Sequence, residues 1–231
     1  MYKVVIPGDF ISEETNRAGE GTYVEDGKVY ATRYGILDER ETIKVVALSG
    51  KYVPTKGDVV IGIIAEISFP YWIVDIASPY EARLHISEFA GAGEEKMEFG
   101  SMSRYLDLGD LVVAKVVNVD VMMRIELALK EDFKIGGRGR LIEISHTKVP
   151  RVIGRSGSMI KMLKDKCNCF IFIAKNGRIW IKGREDDMNL ASEVILKVAS
   201  EAHTSGLTDR VADFLDSFKR GKEKGGKVKV R

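Results

Sequence analysis

Cysteine and histidine are scarce in this chain, with two and three copies in 231 residues. Cys167 and Cys169 stand one residue apart, too close to staple loops and without the second pair that a zinc site needs. They read as reduced thiols in a reducing cytosol. His85, His146 and His203 are scattered, and none makes an H-x-x-x-H or H-E-x-x-H spacing. A G-x-S-x-G elbow and a P-loop are also missing. Glu13-Glu14, Asp38-Glu39 and Asp186-Asp187 are adjacent acidic pairs, and sequence neighbours do not converge on one metal from a strand or helix face. Met122-Met123 lies in a turn and reads as packing. The expectation is a non-catalytic protein with no metal and no cofactor.

Long apolar runs are missing too. The longest, near Val59–Ala65, falls far short of the ~20 residues that span a bilayer. The first residues, MYKVVIPGDFISEE, lack the apolar centre of a signal peptide. A soluble, cytoplasmic protein with no membrane segment is expected. Hydrophobic residues make up 45% and charged residues 30%, the balance of a globular chain that needs no staple.

Net charge is only +2, but it is unevenly spread. Residues 1–55 carry 7 basic against 9 acidic groups, and residues 56–133 carry 7 against 14. Residues 134–202 reverse this with 14 against 7, residues 203–218 carry 1 against 3, and residues 219–231 carry 7 against 1. Such asymmetry points to one part that faces nucleic acid and another that faces something else.

Four segments follow. Residues 1–55 read as an all-β N-terminal domain, with a hairpin at Asp26-Gly27, whose residues tolerate the positive φ of a two-residue turn. Residues 56–133 hold five strand-like runs, Asp58–Ile67, Tyr71–Ile76, Glu81–Ile86, Leu111–Asp120 and Arg124–Leu129. A long polar loop, Ala90–Tyr105, parts the third from the fourth, as in an OB-fold barrel. Residues 134–204 read β-α-α-β-β-α, with Asn176-Gly177 as the hairpin turn. Residues 205–231 end in KRGKEKGGKVKVR, which is aperiodic and highly charged and reads as a disordered basic tail. That tail is either plain solvated chain or an extra electrostatic hold on RNA or an acidic partner.

The sharpest motif is Val152-Ile153-Gly154-Arg155-Ser156-Gly157. Glycine lets a sugar-phosphate backbone come close, and the next helix offers free N–H groups to phosphate. Arg155 and Lys161 add positive charge beside it. The same two glycines also suit a plain tight turn between helices. With the element order around it, the loop resembles the GXXG clamp of a type I KH domain, which holds single-stranded nucleic acid.

Residues 57–130 resemble the S1 RNA-binding domain. The family's aromatic pair is matched by Phe69 and Trp72, and its His-Ile-Ser-Glu segment by His85-Ile86-Ser87-Glu88. Gly109-Asp110-Leu111-Val112 follows, and then Asp120 and Arg124 flank the last turn. The resemblance implies that Phe69, Trp72, His85 and Arg124 line one RNA-binding face, where aromatic rings stack bases. Pro70 stands where the family usually has glycine. Burial, or a protein partner, would equally explain Phe69 and Trp72.

An N-terminal β domain, then S1, then KH is similar to the Rrp4-type cap subunits of the archaeal exosome. Val5-Ile6-Pro7-Gly8-Asp9, Gly19-Glu20-Gly21-Thr22-Tyr23 and Leu48-Ser49-Gly50-Lys51-Tyr52-Val53-Pro54 carry the N-terminal part of the likeness. The resemblance implies three copies on a hexameric RNase-PH-like ring, mixed or not with a sister cap subunit. It implies that the cap recruits RNA, guides single-stranded 3′ ends to the phosphorolytic ring and stabilises the complex. A free-standing S1/KH RNA chaperone or translation-associated binder is the alternative. Polynucleotide phosphorylase carries KH and S1 in the opposite order after two RNase-PH-like halves, for which this sequence has no room.

Overall fold

The structure is a computed structural model and describes residues 3–89, 102–135, 138–202 and 206–223. The chain divides into two compact units, Met1–Gly50 and Lys51–Arg231.

The first unit is all β. Its strands are β1 (Val4–Val5), β2 (Phe10–Ser12), β3 (Thr22–Glu25), β4 (Lys28–Ala31), β5 (Gly35–Asp38) and β6 (Lys44–Ala47). They form two three-stranded sheets, ordered β1-β5-β6 and β2-β4-β3. The Asp26-Gly27 turn has positive φ at both residues, 48° and 72°, the geometry that matches strand twist in a two-residue hairpin. Val5, Ile11, Val29, Ala31, Leu37, Ile43 and Val45 make its core.

The second unit begins with a closed barrel. Its strands are β7 (Val59–Ser68), β8 (Tyr71–Asp75), β9 (Ala82–His85), β10 (Leu111–Val119) and β11 (Ile125–Ile135), ordered β10-β11-β9-β8-β7. A parallel β9–β11 pairing and an antiparallel β7–β10 pairing close it, which leaves no open edge. Of the long loop, residues 90–101 lie outside the described residues, and a short helix, α1 (Met102–Tyr105), follows. Trp72, Val74, Leu84, Val112 and Ile125 fill the barrel.

Then come β12 (Arg140–Glu143), α2 (Val149–Ile153), α3 (Ser158–Cys167), β13 (Phe170–Ile173), β14 (Arg178–Lys182) and α4 (Glu185–Ser200), with sheet order β12-β14-β13. Pro150 sits in the first turn of α2, where a missing N–H costs little. A further helix, α5 (Leu207–Glu223), is one that the sequence reading lacks. Leu207, Val211 and Leu215 recur every four residues and are buried in the same core as Leu163, Ile179 and Val194. The helix takes in residues 219–223, which charge pattern alone assigns to an unstructured tail; residues 224–231 and His203 lie outside the described residues. Cys167 and Cys169 are buried and are not in a disulfide. Burial, and then the charge of Asp187, push the Cys169 thiol up. No helix among the described residues is long and apolar enough to cross a membrane.

Barrel and KH-like sheet are joined by the β13–β14 hairpin. Ile61 and Val113 of the barrel pack with Ala174 and Trp180 in one buried cluster. Lys175 N–H donates to Val59 O at 2.9 Å. Asn176, 4% exposed, donates from Nδ2 to Ile61 O and Ile76 O, both at 2.9 Å, and its Oδ1 accepts from Ile61 N–H at 3.4 Å. Arg178, 3% exposed, donates to the Asp75 carboxylate, to Asp75 O and Ile61 O, and to Glu143 Oε1 at 2.7 Å. Gly177 at the tip has φ +89°, and a Cβ there would lie 2.1 Å from Ile144 O.

This cluster yields a test. Asn176→Asp replaces a two-proton donor by an acceptor against two buried carbonyls. It should cost about 2–3 kcal/mol of unfolding free energy at neutral pH, the scale of buried groups left unsatisfied. Part of the loss should return in mild acid, where a protonated carboxyl regains one donor. Urea unfolding at pH 7 and pH 4, compared with wild type, measures both effects.

Candidate nucleic-acid interface

Strand alternation decides which barrel residues reach solvent. In β8, Trp72 and Val74 are buried while Tyr71 and Ile73 are half-buried and Asp75 is exposed. In β9, Ala82 and Leu84 are buried, and Arg83 and His85 point to the other side. The register pairs Tyr71 with His85 and Ile73 with Arg83, so these four form two adjacent rows on the outer face. The Tyr71 and His85 rings meet edge to face at 5.0 Å. Ser87 N–H donates to His85 Nδ1 at 3.1 Å, and Ser87 Oγ lies 2.8 Å from the same atom. A backbone donor can only donate, so Nδ1 accepts and the neutral imidazole carries its proton on Nε2.

Phe69 is 51% exposed, in the two-residue turn between β7 and β8, beside the Tyr71–His85 pair. Trp72 corrects the sequence expectation: it is 0% exposed, and its Nε1–H donates to Leu106 O at 3.0 Å. Its ring meets Phe89 at 5.1 Å. A ring so enclosed cannot stack a base, and Tyr71 takes its place on the outer face. Tyr71 and Arg83 lie on this face and are absent from the motif match.

Arg124 is exposed in the turn between β10 and β11. Its N–H donates to Asp120 Oδ1 at 2.7 Å, and Met123 takes φ +59°. Because Ile125 pairs with Ala82, Arg124 lies about four residues from the level of His85 along β9, or about 13 Å at strand rise. The structure therefore gathers Phe69, Tyr71 and His85 at one end of the face and sets Arg124 at the other. Val121 and Met122, 102% and 75% exposed, form the tip beside it.

Much of the barrel's negative charge has local work. Asp58 accepts from Thr55 N–H and Tyr52 OH, Asp110 from Asp107 N–H, and Glu88 from Leu129 N–H. These carboxylates fix turns and ends through charge-assisted hydrogen bonds.

The second surface is the loop between α2 and α3. Gly154 ends α2 with φ +77°, where a Cβ would come within 2.8 Å of Met159 N. Arg155–Gly157 form one 3₁₀ turn, with Ser156 at φ 49°. Gly157 caps α3 at φ +76°, and a Cβ there meets nothing closer than 3.8 Å. No side chain caps the start of α3; within the loop Gly157 N–H donates to Gly154 O at 3.2 Å and Ser158 N–H to Arg155 O. Arg155, Ser156 and Lys161 are exposed, with Lys161 in the first turn of α3. Further along, Lys164 Nζ stands 5.8 Å from the centre of the exposed Phe170 ring.

Comparisons with known proteins match this layout. The family described as the Exosome complex exonuclease RRP4 N-terminal region matches residues 4–38, the RRP4 S1 domain matches residues 51–118, and the KH domain matches residues 140–197. The Exosome complex component Rrp4 of Methanosarcina barkeri is 45% identical over 227 residues, which cover 97% of this chain and 85% of the relative. The protein of the same name from Pyrococcus abyssi is 39% identical over 231 residues, or 96% of this chain and 86% of the relative. A solved structure described as an exosome complex RNA-binding protein superposes with a TM-score of 0.68 at 41% identity, covering 75% of this chain and 99% of that one.

The two aromatic positions separate by stability. Trp72→Ala should cost about 3–5 kcal/mol, the usual loss for a fully buried aromatic, while Tyr71→Ala should cost about 1 kcal/mol. Denaturant unfolding of the two variants gives both numbers.

Proposed function

The chain belongs to the Rrp4 family of exosome components, and from that footing we propose that it is a non-catalytic, RNA-binding cap subunit. The observation that carries the reading is the run of three family domains, in order, along a chain that covers 85% of a curated relative. In this role the protein acts in the cytoplasm. It recruits single-stranded RNA, guides 3′ ends to a hexameric RNase-PH-like ring and stabilises the assembly. Three copies occupy the ring, alone or mixed with a sister cap subunit, and the N-terminal unit makes the contact. Bond breakage belongs to the ring.

Within the chain, two surfaces divide the RNA. Phe69, Tyr71 and His85 stack or edge against bases, which is sequence-tolerant and worth about 1–3 kcal/mol per base. Arg124 contacts the strand at the far end of the same face. Gly154, Arg155, Ser156 and Gly157, with Lys161, hold phosphates through the close approach that glycine permits and through positive charge.

Two experiments test the proposal. Mixed with an archaeal RNase-PH-like hexamer, the protein should add three copies by native mass spectrometry; an intact ring with no added mass would contradict the cap role. For RNA, Gly157→Asp is the clean variant, because the position is open and aspartate tolerates positive φ, whereas a side chain at Gly154 strikes Met159. It should weaken binding of a single-stranded oligonucleotide about tenfold, since a carboxylate then faces phosphate, with a small fall in melting temperature from a side chain at positive φ. Equal affinity by fluorescence anisotropy would leave the loop as a turn between helices.

A further inference from the structure

A cleft of about 270 Å³ opens between the Gly154–Gly157 loop and the first turn of α5. Arg151, Arg155 and Ser158 line one side, and Thr208 and Asp209 line the other. The wall made by α5 comes from outside the β-α-α-β-β-α unit, and its position is fixed by Leu207 and Val211 in the core.

Two charges in this cleft are unusual. Arg155 and Asp209 are both exposed, and among the described residues neither side chain makes a hydrogen bond or an ion pair, with each other or with anything else. A purely anion-binding cleft gains nothing from a carboxylate, which repels its ligand. A purely structural contact would have let the opposite charges pair. A ligand with a negative group and a hydroxyl donor on adjacent atoms satisfies both: the guanidinium takes the anion, and the carboxylate accepts from the hydroxyl. A ribonucleotide unit has that pairing in its phosphate and 2′-hydroxyl, and the 2′-hydroxyl is what distinguishes RNA from DNA. At about 270 Å³ the cleft falls just below the range of small-ligand pockets, which suits one small unit of a longer strand.

We propose that this cleft holds one ribonucleotide of the bound strand, Arg155 on its phosphate and Asp209 on its 2′-hydroxyl, so that Asp209 makes the protein prefer RNA to DNA. The inference rests on the RNA-binding reading above. Asp209 is a specificity residue contributed by the C-terminal helix, while the loop supplies phosphate affinity common to both nucleic acids.

The test uses the full chain and two oligonucleotides of one sequence, one RNA and one DNA. The wild-type protein should bind the RNA more tightly. Asp209→Ala should lower the RNA-to-DNA affinity ratio about tenfold, the value of one hydrogen bond to a charged acceptor. Asp209→Asn should keep part of the ratio, because the amide oxygen still accepts. Arg155→Gln should weaken RNA and DNA alike and leave the ratio in place. An unchanged ratio in Asp209→Ala, with RNA binding and thermal unfolding intact, overturns the cleft assignment and leaves RNA binding standing. Failure of the wild-type chain to bind RNA at all overturns both.

Discussion

Arg178 and Asn176 are the polar centre on which the second unit depends. Both are buried in the seam between barrel and KH domain, and together they satisfy the carbonyls of Ile61, Asp75 and Ile76. An apolar seam alone, Ile61 and Val113 against Ala174 and Trp180, would tolerate sliding. Directional bonds from one amide and one guanidinium select a single docking. Removing Arg178 from water is expensive, and the Asp75 and Glu143 carboxylates offset that cost. Both carboxylates are about half exposed, which makes this seam a device for specificity more than for stability.

A fixed seam changes what the two proposed RNA surfaces can do. Linked by a flexible tether, they would find one strand at an effective concentration set by tether length. Held by one docking, they present a single spacing, and a strand that reaches both sites pays less to order the protein. In the proposed role the barrel would offer aromatic contacts, while many of its acidic groups hold turns. The KH domain would offer positive charge. The division follows the −7 and +7 of the two segments.

Most of the fold was legible. All five barrel strands, the KH order and both hairpin turns follow from apolar runs and from Asp-Gly and Asn-Gly pairs. The sequence leaves Trp72 open between the RNA face and burial because Tyr71-Trp72-Ile73-Val74 is apolar throughout and carries no phase of its own. Asp75 sets the phase: counting back by two reaches Ile73 and Tyr71 on the outside. Helix α5 was missed because its stripe of Leu207, Val211 and Leu215 is narrow among many charges, and only a core partner shows what it covers. Asn176 and Arg178 read locally as a turn residue and a surface cation. Their partners on the barrel lie 100 or more positions away in sequence, so nothing near them signals the seam.

The central claim is that barrel and KH domain move as one body. Spin labels at Lys115 on the barrel and Glu193 on α4, both exposed, report on it through double electron–electron resonance. One narrow distance distribution, the same with and without a bound oligoribonucleotide, is the predicted result. A broad or two-peaked distribution, or one that shifts when RNA binds, would contradict the fixed seam.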